Sequence, residues 1–81
     1  MNVRALLFSV LRDIAGTDEI HVEVRQDARV SDLLEELFTR WPRLKGWDAS
    51  LLVAVDQTYV KRDAILHEGA EVAIMPPVQG G

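Results

Sequence analysis

The sequence predicts an α+β domain in which a mixed sheet of four to five strands wraps one main helix, and three observations carry that expectation. Ile20, Val22 and Val24 alternate with His21, Glu23 and Arg25, the period-two pattern of a half-buried strand. Val30, Leu33, Leu34, Leu37, Phe38 and Trp41 recur at the i, i+3, i+4, i+7 spacing of one helical face. Leu51 to Val55 and Glu71 to Met75 are short apolar runs bounded by turn residues. At 81 residues the chain holds one domain, 1–81, with 76–81 as a C-terminal tail.

The first strand is expected from Val3 to Val10, with Val3, Ala5 and Leu7 on one face and Arg4, Leu6 and Phe8 on the other. A short helical turn over Leu11 to Ala15 follows, stopped by Gly16. Glu19 to Arg25 then returns antiparallel to the first strand. The main helix starts near Ser31, a suitable N-cap, and Asp32 suits the positive end of its dipole. Pro42 stops it by disfavouring helical geometry at Trp41 and lacking a donor.

Arg43 to Ser50 reads as a connection, and Leu51 to Val55 as a buried strand. Asp56 and Gln57 mark a turn, Thr58 to Val60 a short strand, and His67, Glu68 and Gly69 a second turn before the last strand. The helix is expected to pack on Val3, Ala5, Leu7, Val22, Leu52, Val72 and Ile74, with Trp41 in the core and Trp47 in the core or at its rim. This order of elements resembles the β-grasp, or ubiquitin-like, fold.

Composition excludes several classes of function. The chain is 48% hydrophobic and 27% charged, within the ordinary range of globular proteins. Thirteen acidic against nine basic residues give a net charge of -4, which supplies no field to hold a nucleic-acid backbone. No apolar run is long enough to span a bilayer and the N-terminus has no signal-peptide pattern, so the expected compartment is cytoplasmic, away from the membrane. Without cysteine there is no disulfide, thiolate metal site or cysteine nucleophile.

The usual catalytic constellations are missing as well. Gly16, Gly46 and Gly69 are isolated and form no phosphate-cradling motif. Ser9 and Ser50 lack a nucleophile elbow, and His21 and His67 are read as solvated residues. Asp13, Asp18, Glu19, Glu35, Glu36, Glu68 and Glu71 are scattered over surface positions, where some of them can steer a basic partner. No metal site and no bound cofactor are expected.

What remains is the tail Pro76-Pro77-Val78-Gln79-Gly80-Gly81. Pro76 and Pro77 end the last strand because neither donates to a ladder. A terminal carboxylate is ionised at neutral pH and is a poor electrophile, so chemistry at Gly81 requires activation by another enzyme. Adenylation with ATP followed by displacement of AMP by sulfide, or by a persulfide whose S–S bond a thiol then reduces, leaves a thiocarboxylate. Glycine suits such a terminus because no Cβ crowds the acyl carbon. Outward-facing Leu6, Phe8 and Met75 form an apolar patch on the open face of the sheet, a candidate partner interface.

LLVAVDQTYV from Leu51 and HEGAEVAIMPPVQGG from His67, with RDIAGT from Arg12, resemble the small, sulfur-carrying subunits of molybdopterin synthase. The resemblance spans essentially the whole chain and is most specific in its last third. It implies a ubiquitin-like carrier, non-catalytic alone, whose Gly81 is adenylated by an E1-like enzyme, charged from a sulfur donor and inserted into the large subunit of a heterotetramer. There it donates sulfur to cyclic pyranopterin monophosphate. By the same resemblance Gly81 bears the sulfur, Gly80 completes the diglycine, and Pro76, Pro77, Val78 and Gln79 lie along the tail. Ala73, Ile74 and Met75 depart from the aromatic residues often found there, which leaves partner specificity open. Sulfur supply to thiamine or tRNA thiolation, a protein modifier joined through Gly81, and an interaction module with an inert tail are the alternatives.

Overall fold

The computed structural model describes residues 1–77. Its elements are β1 (Asn2–Leu7), α1 (Val10–Ala15), β2 (Glu19–Glu23), α2 (Val30–Arg40), a 3-10 helix (Pro42–Ser50), β3 (Leu52–Val55), β4 (Thr58–Tyr59) and β5 (Glu71–Met75). The strands form one sheet in the order β2-β1-β5-β3-β4. β1 and β5 run parallel at its centre, and the β1–β2, β3–β5 and β3–β4 pairs are antiparallel. The sheet is therefore the expected mixed one, with α2 as its main helix.

Alternation decides which side chains meet α2. Val3, Ala5 and Leu7 of β1, Ile20 and Val22 of β2, Val53 of β3, and Val72 and Ile74 of β5 are buried with Val30, Leu33, Leu34, Leu37 and Phe38 of α2. Leu11, Leu44, Leu51 and Leu66 close the ends of this core. Among the described residues no polar or charged side chain is buried, so the core is held by apolar burial and packing.

Several expectations are corrected. β1 stops at Leu7, and Val10 opens α1, because the chain turns at Ser9. β2 ends at Glu23, leaving Val24 half-buried beyond it. Ser31 is not the N-cap of α2; Arg29 is, and its backbone N–H donates to the Asp32 carboxylate at 2.8 Å. Backbone N–H groups of Val30 and Ser31 donate to the carbonyls of Ala64 and Arg62, so an adjoining loop does the work of a capping hydroxyl.

Residues 42–50 are not an irregular connection but a 3-10 helix with Pro42 in its first turn. It tucks Leu44 into the core, and Arg62 holds Asp48 by both its side chain, at 2.7 Å, and its carbonyl. Leu52 does not face α2. Val53 lies opposite buried Ile74 and Leu52 opposite Met75, so Leu52 takes the outer face and is 36% exposed. Trp41 is half-buried against the core rather than enclosed in it.

Leu37 is 1% exposed at the centre of the α2 face. Leu37→Ala is expected to lower the unfolding free energy by about 2–5 kcal/mol through lost burial and a residual cavity, as read from chemical denaturation of the full chain.

Candidate functional site

The outer face of the sheet has two halves. In the parallel β1–β5 ladder Arg4 lies opposite Glu71 at one end, and Leu7 opposite Ile74 at the other. The first end is polar: the Arg4 guanidinium donates to Glu71 at 2.6 Å and to Glu19 at 3.4 Å, and Glu19 also meets the His21 ring at 3.3 Å. The second end is apolar, and it is the end at which β5 runs out into Pro76 and Pro77.

Alternation assigns Leu6 of β1, Ala73 and Met75 of β5, and Leu52 and Ala54 of β3 to this apolar half. Phe8, one residue past β1, continues the outward series and is 44% exposed. Tyr59 of β4 lies directly opposite Ala54, on the same face, and is 68% exposed. Ala54 is buried although it is outside the core cluster, because its neighbours on this face cover a small side chain. The face is thus a continuous apolar surface from Phe8 to Tyr59 across four strand ends, the kind of patch that marks an interaction site.

Leu6, Phe8 and Met75 all fall on this face, Leu6 and Met75 half-buried and Phe8 exposed. Sequence reasoning missed Leu52 and Tyr59. The signal for Tyr59 was the two-residue turn at Asp56 and Gln57, which fixes Tyr59 opposite Ala54. Pro76 and Pro77 are half-buried at the end of β5, whereas Val78, Gln79, Gly80 and Gly81 lie outside the described residues.

The chemistry within the described residues is sparse. A cleft of about 250 Å³ beside Phe8 is lined by Leu6, Leu7, Arg12, Asp18 and Glu19. These side chains include no nucleophile with an adjacent base. No group of three His, Cys, Asp or Glu among the described residues is placed to hold a metal ion. Among the described residues the site is an open sheet face beside the end of β5.

The ThiS family matches residues 5–81, nearly the whole chain. The chain belongs to this family. It is 39% identical over 83 residues to the molybdopterin synthase sulfur carrier subunit of Escherichia coli, covering 98% of this chain and 99% of that protein. Among solved structures, a Pyrococcus furiosus chain assigned as subunit 1 of molybdopterin converting factor superposes with a TM-score of 0.88 at 35% identity, covering 96% of this chain and 99% of the other. The modifier SAMP1 of Haloferax volcanii superposes with a TM-score of 0.87 at 29% identity, covering all of both chains. These neighbours share the ubiquitin-like β-grasp fold, as the element order anticipates.

Phe8 is aimed outward by a strained turn. Its N–H donates to the Ile74 carbonyl at 3.3 Å and its carbonyl accepts the Leu11 N–H at 3.1 Å. Ser9, the second residue of that turn, has φ 56° and ψ -129°, as in a type II′ turn, where glycine is preferred. Such strain costs about 1–3 kcal/mol, more than the roughly 0.4–1 kcal/mol by which a glycine loosens the unfolded chain. Ser9→Gly is therefore expected to stabilise the fold by about 1 kcal/mol, seen as a raised midpoint in chemical denaturation.

Proposed function

We propose that this chain is the sulfur-carrier subunit of a molybdopterin synthase and works through the terminal carboxylate of Gly81. The observation that carries the reading is placement: the apolar half of the outer face ends where β5 hands over to Pro76, in a family member similar along its full length to a carrier of that name. A partner docked on Phe8, Met75 and Tyr59 holds the origin of the tail at a fixed point. From Pro76 six extended residues reach at most about 20 Å, enough to enter a neighbouring active site.

The chemistry follows from the terminus. An E1-like partner joins the Gly81 carboxylate to the α-phosphate of ATP, releasing pyrophosphate and making an acyl adenylate. Hydrosulfide from a sulfur donor then attacks the acyl carbon, AMP leaves and a thiocarboxylate remains. The large subunit takes up the charged tail, and sulfur passes to cyclic pyranopterin monophosphate. This chain's own contribution is a terminus without side-chain bulk and a docking face. A second reading, a modifier joined to lysines through Gly81, is favoured by the likeness to SAMP1.

Incubation with ATP, the adenylating enzyme and a sulfide source is expected to raise the intact mass by about 16 Da, one oxygen exchanged for sulfur, with the change localised to Gly81. An unchanged mass under conditions that charge another carrier overturns the reading, and high-mass conjugates in extract favour the modifier. Deleting Gly81 is expected to abolish charging while stability changes by less than about 0.5 kcal/mol.

For docking, Phe8→Ala and Tyr59→Ala are each expected to weaken binding of the large subunit by about 2 kcal/mol, roughly thirtyfold. Titration calorimetry reads the loss, and an unchanged unfolding midpoint shows that it comes from the surface.

A further inference from the structure

The β3–β4 hairpin that carries Tyr59 is short and its turn is strained. Asp56 and Gln57, the two residues between the paired Val55 and Thr58, have φ of 49° and 71°. Two positive φ values in a two-residue loop are the geometry of a type I′ turn, which favours asparagine, aspartate or glycine first and glycine second, so the strain falls on Gln57. β4 is only two residues long and lies at the sheet edge, so its ladder alone holds this turn weakly.

Asp56 supplies the missing hold. Its backbone N–H donates to the Glu71 carbonyl at 2.8 Å, and its Oδ1 accepts the Glu71 N–H at 3.1 Å. Its Oδ2 lies 2.5 Å from His67 Nε2, while His67 Nδ1 lies 2.9 Å from the Glu68 carbonyl oxygen. Both ring nitrogens thus face acceptors. An imidazole satisfies two acceptors only when both nitrogens carry protons, so this geometry belongs to the imidazolium.

We propose that the His67–Asp56 contact is a proton-operated latch on the β3–β4 hairpin, closed when His67 is charged, that sets how Tyr59 is presented to the docking partner. The effect on binding rests on the docking face described above; the latch itself does not. Other charged groups around it are engaged elsewhere: the Glu68 carboxylate accepts the Asn2 N–H, and the Glu71 carboxylate is held by Arg4. The Asp56 carboxylate is the one that meets the ring directly.

The Asp56 hydrogen bond, then the Glu68 carbonyl, raise the His67 pKa above its ordinary 6.5. The Glu71 N–H, then His67, hold the Asp56 carboxyl below its ordinary 3.8. A raised histidine pKa gives stabilisation that is complete below 6.5 and is lost as pH rises through the folded value. A lowered carboxyl pKa gives stabilisation that is present above 3.8 and is lost as pH falls through the folded value. The latch is strongest between these limits and weakens on the alkaline side, where His67 loses its charge and can donate to only one of its two acceptors.

NMR titration of the full chain tests the latch without a partner. The Tyr59 amide is expected to shift with the same midpoint as the His67 ring, above that of a free histidine, and to lose this transition in His67→Gln. Calorimetry with the large subunit then reads function: the parent is expected to bind about threefold more weakly near pH 9 than near pH 6, and His67→Gln to lose that difference. A Tyr59 signal indifferent to His67, or a pH dependence that survives His67→Gln, overturns the proposal. If Tyr59 follows His67 while the parent binds no large subunit at any pH, the docking reading falls and the latch stands.

Discussion

The parallel pairing of β1 with β5 is the constraint on which the rest depends. It joins the first strand of the chain to the last, so the loop it closes is nearly the whole molecule. The entropy of that closure grows only slowly with length, and it is offset when Val3, Ala5 and Leu7 meet Val72 and Ile74 under α2. Pairing of this kind is non-local and tends to form slowly. Its reward is positional, because the chain leaves the sheet from a central strand flanked on both sides rather than from a frayed edge.

From that pairing follows the division of the outer face. Because β1 and β5 run in the same direction, their polar starts lie side by side and so do their apolar ends. Arg4 bridges Glu71 and Glu19 across three strands at the polar end. At the other end no ion pair among the described residues spans Phe8, Leu52 and Tyr59, which are exposed. A domain of 81 residues has little apolar surface to leave outside its core. Keeping an aromatic side chain in water on a turn that strains Ser9 is difficult to explain by folding alone.

Periodicity made the elements legible and pairing made the site. Ile20 and Val22 alternate with charged neighbours, so their inward face could be read directly, as could the stripe of α2. Leu51 to Val55 is apolar throughout, and such a run carries no information about which side faces in. Only the register of Val53 on Ile74 places Leu52 outside. The 3-10 helix left a weak trace in the spacing of Leu44 and Trp47, too short to tell from a loop. The sequence reads His67 as solvated and gives Tyr59 only a place in a short strand, because their proposed roles come from opposing partners, Asp56 and Ala54, on other parts of the chain.

On the proposed reading, the absence of a catalytic constellation among the described residues has a positive explanation. A carboxylate at the end of the main chain needs no local acid, base or nucleophile; it needs to be delivered into sites where other proteins hold those groups. Delivery calls for two properties, an origin fixed in space and a path of known length. A docked sheet face fixes the origin next to Pro76, and six residues set the reach. Fixing the origin also converts the encounter of the tail with a partner's active site into an intramolecular search, which raises its effective concentration without a further contact. The hairpin bearing Tyr59 then becomes the adjustable part of the machine, since the central strands are paired on both sides while β4 is paired on one and held at its turn by two exposed side chains.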